Sequence, residues 1–204
     1  MMRIMSGNDR KAGTMTGKAD DKRVRRTRRL LREALLRLIK DEPVGKISTT
    51  HLCAEADINR NTFYAHYSSP EEVLQELEDE LLEELVSLAP ASINEQEAQV
   101  EVFRHYAKHQ DTYRTLIHAP SSSIIKREMD ALLKRNSLLQ LPEGSRGKEL
   151  VISRLFLRYA MMGSMALIES WIDAGCDMSS EELAAISHQF ARHGLDGITP
   201  MHEA

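Results

Sequence analysis

Apolar residues recur at helical spacing along most of the chain, and short polar residues, Gly and Pro punctuate them. From Arg23, the positions Leu31, Ala34, Leu35 and Leu38 make one apolar stripe, with Arg25, Arg26, Arg29 and Arg32 mostly outside it. Pro43 and Gly45 end this first helix. Ser48 offers an N-cap to a short helix from Thr49 to about Glu55, Ala56-Asp57-Ile58 turns the chain, and Asn59 caps a second short helix to about Tyr67. Asp57 stands where the turn calls for a left-handed residue, a conformation that Asp tolerates better than most. Ser68-Ser69-Pro70-Glu71-Glu72 then reads as a helix start: a Ser cap, Pro in the first turn, and acids at the positive end of the helix dipole. The helix it opens is expected over Pro70–Leu88, closed by Pro90 and turning Leu74, Leu77, Leu81, Leu82 and Leu85 to the core.

The same spacing predicts helices at Asn94 to about Gln110, Thr112–His118, Ile124–Leu139, Lys148–Ala174 and from Ser179 or Ser180 to about His193. Leu141–Gly147, with Pro142, Gly144 and Gly147, breaks the pattern, and Gly175 and Gly194 follow the last two helices. The expected fold class is all-α: an N-terminal tri-helical helix-turn-helix domain over 23–69, with the helix-turn-helix at about 48–67, a connecting helix over 70–89, and a C-terminal helical bundle over 90–204. Residues 1–22 lack periodicity and are expected to form a disordered basic arm.

Composition agrees with helix: aromatics are few, while Leu, Ala, Glu, Arg and Met are plentiful. No run approaches the roughly 18 apolar residues of a membrane span, and the polar first 22 residues do not read as a secretory signal. Cys53 and Cys176 are therefore expected to be free thiols in a reducing, cytoplasmic setting. The net charge of -4 conceals an asymmetry, because residues 1–68 hold 15 Lys and Arg against 8 Asp and Glu. A basic front on an acidic body suits contact with a polyanion, although a solvated basic face has the same composition.

The second short helix is polar on its exposed side, with Arg60, Asn61, Thr62, Tyr64 and His66. Arg and Asn can pair with base edges in a major groove, whereas Thr, Tyr and His suit phosphate oxygens. Leu52, Ala56, Ile58 and Phe63 are available to join the two short helices. Three small helices can also belong to any helical domain. The run Ile47–Leu74, ISTTHLCAEADINRNTFYAHYSSPEEVL, resembles the signature of the TetR/AcrR family of transcriptional regulators. Its most specific part is Thr62-Phe63-Tyr64-x-His66-Tyr67 followed by Ser69-x-Glu71-x-x-Leu74. Thr27, Leu30, Leu31, Ala34 and Leu38 match more loosely. The resemblance implies a DNA face of Ser48, Thr49, Arg60, Asn61, Thr62, Tyr64 and His66, with Arg60 and Asn61 specifying bases and Arg25, Arg26 and Thr27 adding backbone contacts. Two positions depart from the family: Asp57 replaces its usual turn Gly, and Pro70 replaces the Lys that touches a phosphate.

The resemblance also implies a homodimer on double-stranded DNA with a near-palindromic operator, and a small-molecule ligand in the C-terminal domain. A repressor released by that ligand is the leading expectation; the alternatives are an activator, or a co-regulator that does not itself bind DNA. In the Lys148–Ala174 helix, Arg154, Arg158, Glu169 and Asp173 form a polar stripe interrupted by Met161, Met162 and Met165. Ile152, Phe156, Ala160, Gly163, Leu167, Trp171 and Ala174 lie opposite. A helix apolar nearly all round in its middle is expected to be buried on both sides, one of them against a dimer partner. Leu183, Ala184, Ile186, Ser187 and Phe190 of the last helix are expected to complete a four-helix interface. Phe103, Tyr106, Tyr113, Phe156, Tyr159, Met162 and Trp171 are the residues expected to line a ligand pocket, against the alternative that they are ordinary core.

Glu101, His105 and His109 share a helix face at metal-ligand spacing, a pattern that a solvated helix face produces equally often. No cofactor or metal is expected. Catalytic motifs are missing: no G-x-S-x-G, Gly-rich phosphate loop, H-E-x-x-H or metal-spaced Cys pair occurs, and Ser121-Ser122-Ser123 reads as a loop and helix cap. An enzyme is not expected.

Overall fold

The computed structural model describes residues 12–88, 95–135 and 148–196. Nine α-helices occur among them: α1 (Ala12–Leu38), α2 (Thr49–Ala56), α3 (Arg60–Tyr64), α4 (Pro70–Ser87), α5 (Glu95–Lys108), α6 (Gln110–His118), α7 (Ile124–Arg135), α8 (Lys148–Asp173) and α9 (Ser180–Asp196). A single 3-10 turn, Val44–Lys46, precedes α2, and no strand is present among the described residues. The chain divides into two compact units, 1–75 and 76–204, with the division falling inside α4.

In the N-terminal unit, α1 packs on α2 and α2 on α3. The core is built from Leu31, Ala34 and Leu35 of α1, Leu52 and Ala56 of α2, and Phe63 of α3, all buried. Each large apolar side chain so buried contributes roughly 1.5–3 kcal/mol. The local signals act as read. Ser48 Oγ accepts the His51 N–H at 3.1 Å, and Asn59 Oδ1 accepts the Asn61 N–H at 2.8 Å. Asp57 is left-handed, at φ 52° and ψ 45°, and the Ile58 N–H returns to the Cys53 carbonyl. An ion pair between Arg37 and Glu55 ties α1 to α2 from outside.

Several boundaries differ from expectation, among them the end of α9, which runs through Gly194 to Asp196 and does not stop at His193. α1 already runs from Ala12, so 12–22 is helix and not a loose arm; exposed Asp21 and Arg25 pair one turn apart along it. Residues 1–11 of the expected arm lie outside the described residues. α1 stops at Leu38, before Pro43, because residues 39–42 form turns leading into the 3-10 segment. α3 stops at Tyr64 and not Tyr67: the His66 and Tyr67 N–H groups both fold back to the Phe63 carbonyl, setting the Tyr67 ring 5.9 Å from that of Phe63. Pro90 and the Leu141–Gly147 break lie outside the described residues.

In the C-terminal unit, α5 packs on α9 and α8, and α6 on α8 and α7. Its core includes Leu77, Leu81 and Leu85 of α4, Phe103 and Tyr106 of α5, Tyr113 and Leu116 of α6, and Met165, Ile168, Trp171 and Ile172 of α8. Leu82 is only half-buried. Gly175, at φ 87°, and Cys176 end α8 by returning their N–H groups to Ile172 and Trp171. A reciprocal box starts α9: Ser179 Oγ accepts the Glu182 N–H, and Glu182 accepts the Ser179 N–H.

The faces of α8 need correcting. Its buried side is Met165, Ile168, Trp171 and Ile172, whereas Gly163 and Ala174, expected beside Trp171, are exposed. Leu183, Ala184 and Ser187 of α9 are buried within the chain, where Ser187 Oγ takes a hydrogen bond from Gln99. Of the expected interface residues on α9 only Phe190 stands well exposed, at 61%.

Candidate nucleic-acid interface

The exposed surface of α3 and the start of α2 bring together most of the side chains singled out in the sequence. Arg60 and Asn61 are exposed, Tyr64 is 52% exposed, and Thr49, Thr62 and His66 are half-buried. Phe63 is fully buried beneath them, its ring edge-on to Tyr64 with centroids 5.5 Å apart. The buried ring fixes the rotation of this short helix, and that rotation decides which residues face outward. Arg60 and, next, Thr49 stand beside Tyr64 and lower its hydroxyl pKa. Arg60 therefore stands one turn from an aromatic anchor, with Thr49 of α2 alongside. The Asn61 backbone N–H is spent on the Asn59 cap, which leaves the exposed side-chain amide for contacts outside the chain. Ser48 Oγ uses a lone pair on its own cap, so its hydroxyl hydrogen remains to be donated to an acceptor such as a phosphate oxygen.

The contributions from α1 are less uniform. Arg26 is exposed, Arg25 is engaged with Asp21, and Thr27 is buried at 6% exposure. Thr27 is therefore part of the core surface between helices and is not free to reach a nucleic-acid backbone.

At the start of α4, Pro70 is buried and offers no N–H. Glu72 accepts both the backbone N–H and the hydroxyl of Ser68, which also holds its pKa down. The helix start is thus occupied by a carboxylate of the chain itself. The spacing of Ser68 and Glu72 in the sequence carried this signal, one residue earlier than a usual capping box.

In the C-terminal unit, Tyr106 donates to Glu128 at 2.8 Å and Tyr113 donates to the other oxygen at 2.5 Å. His105 Nε2 lies 3.0 Å from the Tyr113 hydroxyl. Burial pushes Glu128 up to about 7 against the lowering effect of its two tyrosines. Burial, then the charge of His109, pushes His105 down to about 4. Glu78 is also buried and collects Ser122 Oγ, the Ser123 N–H and hydroxyl, and Arg127. Ser122 and Ser123 accordingly serve as a loop clamp at the start of α7. Neither acid was singled out in the sequence, because single Glu residues within amphipathic helices look like solvated ones until the tertiary fold covers them.

The seven residues expected around a ligand separate. Phe103 and Trp171 are buried and stack edge-on, 6.1 Å apart, and Tyr106 and Tyr113 are buried within the carboxylate network, 4.6 Å apart. Phe156 is half-buried. Tyr159 and Met162 are 72% and 52% exposed, so they cannot line an internal cavity of one chain. Glu101, expected on the same face as His105 and His109, pairs instead with Arg104.

Residues 94–193 match the TetR-type family model described as "Transcriptional regulator C-terminal region" (TetR_C_8). Over those residues, just under half of its length, the chain is similar to the C-terminal region of TetR-type transcriptional regulators. A TetR transcriptional regulator from Streptococcus agalactiae 2603V superposes with a TM-score of 0.62 at 20% identity, covering 86% of this chain and 98% of that one. The dihydroxyacetone kinase operon activator DhaS superposes with a TM-score of 0.55 at 18% identity, covering 83% and 96%. Both likenesses show the all-α TetR fold. No curated protein sequence matches the chain. The sequence resemblance described above lies on α2, α3 and the start of α4, and the family-model match on the helices that follow. Among the described residues no helix is long and apolar enough to cross a membrane.

Proposed function

We propose that this chain is a TetR-family, sequence-specific regulator that binds double-stranded DNA as a homodimer in the cytoplasm, reading a near-palindromic operator through α3. The observation that carries the reading is the α3 surface: Arg60 and Asn61 exposed beside a Tyr64 flanked by Arg60 and Thr49, on a helix whose rotation is fixed by buried Phe63. Ser48, Thr49, Thr62, Tyr64 and His66 position the module on phosphates, Arg60 and Asn61 read base edges, and Arg26 adds a backbone contact. The dimer face is the exposed apolar row Val151, Leu155, Tyr159 and Met162 of α8 together with Phe190 of α9.

We further propose that the protein is a repressor whose operator affinity falls when a small molecule binds the C-terminal domain. The buried aromatics Phe103, Tyr106, Tyr113 and Trp171 and half-buried Phe156 are the residues nearest to a ligand site in character. The name of DhaS keeps activation as a second reading. Selection of bound duplexes from a random pool tests DNA recognition, and a screen for compounds that release the selected duplex tests repression. A palindromic consensus is the expected outcome. A pool that shows no enrichment would favour a co-regulator that does not touch DNA.

A further inference from the structure

We propose that Glu84, His105 and His109 form a binding site for one divalent transition-metal ion of the zinc class. His105 lies on α5 and His109 one turn on, at the junction of α5 and α6, with ring centroids 4.9 Å apart, and both face the Glu84 carboxylate of α4. His109 Nε2 is 2.9 Å from Glu84 Oε2, and His105 Nδ1 is 3.6 Å from the same oxygen. The three donor atoms all lie within 4.8 Å of one another. Zinc bonds of about 2.0–2.2 Å place tetrahedral donors roughly 3.3–3.6 Å apart, so small side-chain adjustments close this set on an ion. Two imidazole nitrogens and one carboxylate suit zinc, cobalt or nickel better than magnesium or calcium.

A second observation concerns the orientation of His105. Tyr113 gives its hydroxyl hydrogen to Glu128 at 2.5 Å, so its oxygen is left to accept the His105 Nε2–H at 3.0 Å. A neutral imidazole carries one N–H, and Nδ1 therefore presents a lone pair. That nitrogen belongs to a side chain only 2% exposed and is aimed at a carboxylate oxygen beyond hydrogen-bond range. Lone pair faces lone pair, and a cation between them turns the repulsion into coordination. A histidine whose other N–H is tied to an acceptor, itself held by a carboxylate, is the outer arrangement that orients metal-binding imidazoles. His109 now donates from Nε2 to Glu84; on coordination its proton moves to Nδ1, the other tautomer of a neutral ring.

Lys108 is the competitor, with its ammonium 3.1 Å from the same Glu84 oxygen. Its side chain is largely exposed and can swing into solvent. The second grouping of potential ligands, His118, Glu169 and Asp173, is exposed throughout, has no buried member, and serves as a control.

The test uses the full chain stripped of metal, titrated with zinc by calorimetry and with cobalt by visible absorption. One ion per chain is expected, with the intense visible bands of four-coordinate cobalt. His109→Gln and Glu84→Gln should each weaken zinc binding by about tenfold or more. His118→Gln should leave it unchanged, and Lys108→Gln should tighten it by removing the competing cation. These side chains lie outside the apolar core, and circular dichroism of each variant checks that the fold is kept. No saturable binding by the wild-type chain, or zinc affinity retained in His109→Gln and Glu84→Gln, would overturn the proposal.

Discussion

Glu72 accepts both hydrogens that Ser68 offers, the backbone N–H at 2.6 Å and the hydroxyl at 2.7 Å, one helical turn away across buried Pro70. The sequence resemblance implies a lysine at the Pro70 position that touches a phosphate. Here that helix start already holds an anion. Glu72→Gln keeps the shape and removes the charge. The expected outcome is a lower melting midpoint, because the charge-assisted cap weakens. Affinity for non-specific duplex should rise at low salt and lose that gain as salt is added. An unchanged DNA affinity at every salt concentration would mean that the start of α4 lies away from the phosphates.

Arg60 is expected to carry base specificity. Arg60→Ala should cost about 1–3 kcal/mol of specific affinity and relax the preference at one position of each half-site. Titration against a panel of single-base operator variants reads both effects. A uniform loss across the panel would reassign Arg60 to phosphate contact.

The N-terminal unit was legible because its signals are local. A cap at Ser48, a cap at Asn59 and a left-handed Asp57 each act within three residues, and the structure shows all three. Thr27 was misassigned because burial of a small polar side chain depends on neighbours distant in sequence. The same reason hides the C-terminal chemistry. Glu78 and Glu128 look like solvated helix acids until α4, α6 and α7 enclose them. Glu84 joins His105 and His109 only through packing of α4 near α5, whereas sequence spacing pointed to Glu101, which the structure gives to Arg104. On α8 the periodicity showed that both sides are apolar but did not tell the inner side from the outer one.

That outer side sets the next expectation. Val151, Leu155, Tyr159 and Met162 follow one another at steps of four, four and three, so they form one row along α8, and each is more than half exposed. Gly163 has open space where a Cβ would stand, which permits close approach of a second helix. Leu155→Glu with Tyr159→Glu should convert a dimer into a monomer with its helix content intact, since both side chains are well exposed within one chain. Light scattering at micromolar concentration, read beside circular dichroism, checks this. A dimer mass retained by the double variant would place the interface elsewhere.

The Glu128 carboxyl gives the chain a pH-dependent stability of calculable sign. Burial raises its pKa from 4.5 to about 7 in the folded protein. Between those values the folded state holds a proton that the unfolded state has released, so stability falls as pH rises across that window. Below about 4.5 both states are protonated, and above about 7 both are ionised and the penalty is constant. Full ionisation of this group corresponds to roughly 3 kcal/mol, since one pKa unit is about 1.4 kcal/mol. The two tyrosine hydroxyls partly offset the cost, because they donate to the ionised form. Glu128→Gln retains hydrogen-bonding capacity and removes the titration. Denaturant unfolding at a series of pH values, at one fixed protein concentration because assembly shifts apparent stability, should show wild type losing stability relative to Glu128→Gln between about pH 4.5 and 7. The difference between the two proteins isolates this carboxyl from every other titrating group. Parallel curves would mean that Glu128 ionises as freely in the folded chain as in the unfolded one, and that the tyrosine pair fully compensates its burial.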